Sequence, residues 1–444
     1  MTTQIFLAST LYGTATLAAA LDSGCFDAAD RRILLVSNNA TTPETSIPVD
    51  AMPGFDTLRG RFDDVVSWNE TIFPFHPGGW GPRPDDTPMW ERYVRLAWGL
   101  GDDDVALAVE SIQVNPALGV AQIFTDAPVT VYADGLMSYG PTRNKIDPLV
   151  GTRVERLLHL DLVPGLTPLL LTEFGVEPEI VPTAAFTKVL AELVDTGDEL
   201  PRIEEPAVLL GQYLSALGIL SPEEEEKLHV RMLRGAVNLG HTRVVFKPHP
   251  SAPARWSRVL EAEADKLGAD LTVLDTPVLA EVLYQRMRPE LVVGCFSTGL
   301  LTASALYGLP VARVGTELLL ERLTPYENSN RVPVTIVDAL LPELTDRAAV
   351  HEQRASMQAG ALGELVRAVG YAMQPKVLPE LRGEAERYLA RHLNPHTRRY
   401  FKKRRLTSLA LPGGVPSQLS FLPRNATVRR VARKARSLKR AVTR

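Results

Sequence analysis

Apolar residues along this chain gather in short runs that end on turn residues, and stretches with helical spacing separate them. In the first half, Gln4–Ala8 reads as a strand, Tyr12-Gly13 as a tight turn and Thr14–Leu21 as a helix. Arg32–Val36 predicts a second strand ending in Ser37-Asn38-Asn39, and Val105–Val109, Val129–Tyr132 and Arg153–Leu160 predict three more. Alternating strands and helices point to a parallel sheet covered on both faces. Prolines and acidic residues cluster across Leu162–Pro206, which marks a domain boundary. The alternation then resumes. Helices Glu223–Asn238, Ala254–Leu267, Val278–Arg286 and Gly299–Tyr307 lead to strands Thr242–Phe246, Leu271–Leu274, Leu291–Gly294 and Pro310–Val314. The second half is thus a nucleotide-binding unit of the doubly wound kind, with ligands expected beyond the carboxyl ends of its strands. Helices Asp346–Met373 and Pro379–Leu393 follow. The expected division is 1–190, 207–345, 346–397 and a basic segment 398–444.

At 444 residues the chain is long enough for two domains with full cores. Two distant cysteines, Cys25 and Cys295, fit no metal-ligand spacing and suit a reduced compartment better than a disulfide framework. The uncharged stretch Thr2–Leu21 lacks a basic leader and is broken by Thr, Ser, Tyr and Gly. It suits neither a signal peptide nor a spanning helix, so a soluble or peripheral cytoplasmic protein is expected. Charge changes the picture more. Overall Lys+Arg is 48 against 52 Asp+Glu, yet 15 of the basic residues and none of the acidic ones lie in 398–444. An acidic body with a basic tail suits a polyanionic surface. Arg398–Arg405 mixes Tyr400 and Phe401 with its cations, and Val428–Val442 reads as a basic amphipathic helix. Both fit the anionic inner face of a membrane better than nucleic acid.

Three short motifs carry candidate chemistry. Lys247-Pro248-His249-Pro250 follows a strand, so His249 sits on a stiff turn where it can donate to a phosphate or protonate a leaving group beside a fixed cation. Cys295-Phe296-Ser297-Thr298-Gly299 also follows a strand and opens a helix. Its hydroxyls and amides form an anion site, and Gly299 allows close approach. Tyr132-Ala133-Asp134-Gly135 closes a strand of the first half and places a carboxylate where it can take a proton from an alcohol. Ser138–Arg143 adds polar groups at the cleft mouth, Tyr139 and Arg143 among them. Glu281 is a candidate for a ribose hydroxyl. Asp102-Asp103-Asp104 reads as a solvated turn rather than a metal site, and His76, His159, His229 and His241 have no companions at ligand spacing.

Asp134-Gly135, His249-Pro250 and Ser297-Thr298 resemble, in order and placement, the D/E-D/E-G, HP and S-S/T motifs of bacterial sialyltransferases of GT-B architecture, most nearly the bacterial alpha-2,8-polysialyltransferase family. The resemblance covers most of residues 3–340, including Thr10-Leu11-Tyr12-Gly13 and Ser37-Asn38-Asn39. It implies two Rossmann-like α/β domains facing a cleft, with a C-terminal helical and basic extension. It further implies an inverting, metal-independent transfer of sialic acid, or a related nonulosonic acid, from a CMP-sugar to a glycan or glycolipid hydroxyl, without a cofactor. Asp134 would be the general base. His249 would serve the departing phosphate, which Lys247, Pro250, Ser297, Thr298 and Gly299 would help bind. Thr10, Gly13, Asn38, Asn39, Tyr139 and Arg143 would lie on the acceptor side. One position departs from the pattern, since Ala133 stands where the first acidic residue belongs. Two other readings share the motifs: a CDP-glycerol-type polymerase of teichoic-acid-like chains, and a non-catalytic glycan-binding scaffold.

Overall fold

Strands covered on both faces must be largely apolar, and runs such as Ile33–Val36, Val129–Ala133, Ala207–Leu210 and Leu291–Gly294 satisfy this in each half. A computed structural model of the chain describes residues 1–194, 200–249, 255–353 and 357–415. The first half holds β1 (Thr2–Ala8), β2 (Arg31–Val36), β3 (Asp64–Ser67), β4 (Asp104–Glu110), β5 (Val129–Ala133), β6 (Val154–Leu160) and β7 (Pro178–Val181). They form a parallel sheet in the order β3-β2-β1-β4-β5-β6-β7. Register sets the carboxyl ends side by side: Ala8 pairs with Val36, Phe6 with Ala108, and Glu110 with Tyr132. The second half holds β8 (Ala207–Leu210), β9 (Arg243–Lys247), β10 (Asp270–Val273), β11 (Leu291–Gly294) and β12 (Val311–Arg313), in the order β10-β9-β8-β11-β12. Each sheet reverses its winding once, between β1 and β4 and between β8 and β11. Ligands collect at such switch points.

The halves are packed together. Gly140 of the first half meets the helix Arg331–Leu340 of the second, where a Cβ at Gly140 would lie 3.6 Å from Val332 Cβ. The C-terminal helix Ala359–Met373 crosses back onto the first half. There a Cβ at Gly370 would lie 2.5 Å from Leu169, and the Gln374 amide just beyond donates to the Arg143 carbonyl (3.1 Å).

Three expectations are corrected. Tyr12-Gly13 is no turn. The helix starts at Leu11, with Thr10 as its N-cap accepting from the Gly13 N–H (2.9 Å). The single helix expected over Asp346–Met373 is instead two, Arg347–Glu352 and Ala359–Met373. The aromatic residues among the first tail cations do not face outward: Tyr400 is fully buried and Phe401 nearly so. Burial of each contributes about 2 kcal/mol. Arg399 pairs with Glu317 and with the buried Asp338, and Arg405 with Glu327 (2.7 Å), so this stretch is fastened to the body. Pro250 and the expected helix Val428–Val442 lie outside the described residues. Among the described residues no helix is long and apolar enough to cross a membrane.

Candidate active site

β1, β4 and β5 end together, and their next residues are polar. Ser9 donates from both its N–H (3.1 Å) and its Oγ (2.7 Å) to Glu110 Oε2 at the end of β4. Asp134 follows β5 on the same rim. Burial, and then the charge of Glu110, raise the Asp134 carboxyl to about 7. Glu110 is itself raised by burial, which the two Ser9 hydrogen bonds oppose. Beneath the pair, the Tyr132 hydroxyl is tied to the Leu7 carbonyl (2.9 Å). The first helical turn presses against this rim. A Cβ at Gly13 would lie 3.0 Å from Tyr132 Oη and 3.4 Å from Asp134 Oδ2, so the close approach requires glycine. Glu110 is a candidate that the motif reading missed. It ends an apolar run like any solvated strand-end charge, and only the register of β4 against β1 and β5 reveals its neighbours.

The second half supplies the other wall. β9 ends in Lys247, and His249 follows at the exposed rim, its ring 6.2 Å from that of Tyr213. Desolvation lowers Lys247 to about 8, partly offset by Glu281. His249 is lowered by desolvation and then by Lys247. After β11, the Phe296 N–H donates to Gln212 Oε1 (3.1 Å), which steers the chain into Ser297. Ser297 caps the helix Thr298–Tyr307 by accepting from the Gly299 N–H (3.2 Å). Ser297 and Thr298 are half-buried and Gly299 is buried. A Cβ on Gly299 would come within 3.0 Å of Tyr284 Oη.

The two walls touch. A Cβ on Gly135, the residue after Asp134, would lie 3.2 Å from Thr298 Oγ1. Tyr12 lies in the same seam. Its buried hydroxyl has no hydrogen-bond partner among the described residues, and its pKa is raised by burial, then by Glu281 of the second half and Asp134 of the first. The first wall thus carries a carboxyl raised to about 7, and the second carries Ser297 and Thr298 at a helix N-terminus and Lys247 and His249 at the end of β9.

Other candidates have different roles. Glu281 is buried and accepts from Thr302 Oγ1 (2.6 Å), so its carboxylate is turned inward rather than offered to a ribose. Tyr139 is fully buried, and its hydroxyl bonds the Leu160 carbonyl and the Val163 N–H, which makes it a core residue rather than an acceptor contact. The Asn38 amide is consumed by the carbonyls of Pro43 (3.1 Å) and Ser46 (3.3 Å). Exposed Asn39 accepts from Ser37 Oγ (2.7 Å), and Thr10 serves as the cap. The Arg143 N–H is held by Gln113 Oε1 (2.7 Å), with its side chain half-buried. Asp103, in the acidic turn, accepts from Thr3 Oγ1 (2.7 Å) at the opposite end of the sheet. Among the described residues no group of three or more His, Cys, Asp or Glu is placed to hold a metal ion.

Two doubly wound halves with a polar seam between their carboxyl ends define a GT-B protein. The Alpha-2,8-polysialyltransferase (POLYST) family matches residues 4–316, and the chain belongs to that family; it is a sialyltransferase-type glycosyltransferase. No curated protein sequence matches it. Among solved structures it is similar to the GT-B domain of a sialyltransferase from Photobacterium damselae (11% identity, 76% of this chain and 96% of that one, TM-score 0.38). It is also similar to UDP-GlcNAc 2-epimerase from Methanocaldococcus jannaschii (14%, 84% and 100%, TM-score 0.45) and to Acinetobacter baumannii MurG (13%, 87% and 95%, TM-score 0.40). At such TM-scores nothing about donor or acceptor passes from them to this chain.

Proposed function

We propose that this enzyme transfers sialic acid, or a related nonulosonic acid, from a CMP-sugar to a glycan hydroxyl, with inversion and without a metal ion. The observation that supports the reading most is the meeting of Gly135, next to Asp134, with Thr298, next to Ser297, across the seam. The acceptor oxygen attacks the anomeric carbon, its proton passes to Asp134, and the bond from that carbon to the CMP phosphate oxygen breaks. A base poised near 7 is ionised often enough at neutral pH and still basic enough to accept that proton. Charge then builds on the departing phosphate. Lys247, the His249 N–H and the Ser297 and Thr298 hydroxyls at the start of the helix Thr298–Tyr307 are donors for it. The phosphate would also relieve the repulsion that Lys247 exerts on His249, favouring its protonated form.

The Lys and Arg residues in 416–444 would hold the enzyme against an anionic membrane on its cytoplasmic side, because the cations of 398–405 that pair internally are partly spent. The reading is tested with His249→Ala. Turnover of CMP-sialic acid is expected to fall by roughly a hundredfold or more while the thermal midpoint stays put. Near-normal turnover removes His249 from the mechanism.

A further inference from the structure

A cavity of about 660 Å³ opens on the same carboxyl-end rim as Asp134, beyond β2 and β3. Ser37 lines it and also bonds back through its N–H to the Ala8 carbonyl (3.0 Å), one residue before Ser9. Three strand spacings, on the order of 14 Å, separate β2 from β5. A short oligosaccharide spans that distance; one sugar ring does not.

The wall is rigid. The Asn38 N–H donates to Asn69 Oδ1 (2.8 Å), and Asn69 Nδ2 returns a bond to the Asn38 carbonyl (3.0 Å). On it sits an aromatic shelf. Phe73 is 81% exposed and Phe75 51%, and Phe75 stacks on Trp80 (6.1 Å, 22°), which in turn packs against the buried Trp68 (5.8 Å). A flat hydrocarbon-and-hydroxyl ligand fits such a shelf, because its apolar face covers the ring while its edge reaches polar groups.

The charge of the lining is one-sided. Glu44, Asp50 and Glu70 contribute carboxylates with no hydrogen-bond or ion-pair partner among the described residues, and no Lys or Arg lines the cavity. His76 does not compensate. Both its ring nitrogens are engaged by the backbone, Nε2 with the Ala40 carbonyl (2.9 Å) and Nδ1 with the Gly78 N–H (3.2 Å). Carboxylates recognise sugar hydroxyls by accepting from them, and they repel a carboxylate-bearing sugar at every position.

We infer that this cavity is the acceptor subsite and takes a neutral glycan, hexose or N-acetylhexosamine, rather than an anionic polysialic acid chain. On the transferase reading above, on which its role as an acceptor site rests, the enzyme then begins a sialic acid chain on an uncharged glycan instead of lengthening one.

The test uses the full chain in EDTA. Tryptophan fluorescence follows titration with CMP, with gluco-, galacto- and N-acetylglucosamine-based neutral trisaccharides, and with α2,8-linked trisialic acid. At least one neutral trisaccharide is expected to bind roughly tenfold or more tighter than trisialic acid, and Phe75→Ala to weaken it by about tenfold. Glu44→Lys with Glu70→Lys is expected to raise affinity for trisialic acid while leaving CMP binding unchanged. Trisialic acid binding tightest to the wild type, no neutral trisaccharide binding, or indifference to Phe75→Ala would each overturn the subsite. CMP binding that survives such a result leaves the transferase reading standing. Loss of CMP binding with the neutral glycan still held at Phe75 sinks the transferase reading and keeps the glycan site.

Discussion

Asp134 serves as a base only if its carboxyl releases a proton near the working pH, and its neighbours bring this about. Desolvation raises it first and Glu110 second. With Asp134 as the proposed base, the active form would be the ionised one, so activity should fall as the pH drops below about 7. Glu110→Gln removes a charge that opposes ionisation, and the acid limb of the kcat–pH profile should move to lower pH by ~1 unit. A limb that stays put would show that Glu110 does not tune the base. Glu110 also bears on the missing first acidic residue of the Asp-Gly motif: with Ala133 in that place, the second carboxylate of the rim comes from the neighbouring strand. Asp134, His249 and Ser297 stand out in the sequence because each comes within three residues of the end of an apolar run, and the structure sets each just beyond a strand's carboxyl end. Glu110 does not stand out, since nothing in a linear string shows which strands lie side by side. Tyr139 was misassigned for the converse reason. Residue type advertises a hydroxyl or an amide but not whether the fold has already satisfied it.

At the scale of elements, the seam depends on glycines where a side chain would intrude. Gly135→Ala places a methyl 3.2 Å from Thr298 Oγ1, so the two walls must part by a few tenths of an ångström. Turnover is expected to drop by about tenfold, since catalytic geometry tolerates little displacement, with the thermal midpoint nearly unchanged. Gly151→Ala gives the opposite signature. Its methyl would lie 2.3 Å from the Phe174 ring, far from the seam in the core of the first half. Denaturant melts should show a loss of about 1–3 kcal/mol, with activity per folded molecule intact. Equal effects of both substitutions on turnover would contradict the placement of the seam. Most strands were legible from their apolar runs. β3, β7 and β8 were missed: β3 and β7 are the half-exposed edge strands of the first sheet and carry no continuous apolar run, and β8 lies just past the proline-rich boundary. The error at Tyr12-Gly13 has a physical source as well, for glycine sits there to admit Tyr132 and Asp134, not to turn the chain.

The whole molecule pairs an acidic body with a basic end. Up to Phe401 and Arg405 it is folded onto the body, which the sequence could not show, because an aromatic among cations reads alike whether it faces lipid or core. Deleting 416–444 should therefore reduce binding to anionic vesicles severalfold or more, most visibly at low salt, and leave CMP affinity unchanged in the same preparation. Undiminished vesicle binding would place the membrane contact on the body. The central claim concerns the seam, and calorimetric titration of the full chain with CMP, CDP and UDP in EDTA tests it most directly. The account predicts binding selective for CMP that is lost in Ser297→Ala. Preference for CDP or UDP, or no binding of CMP, would contradict it.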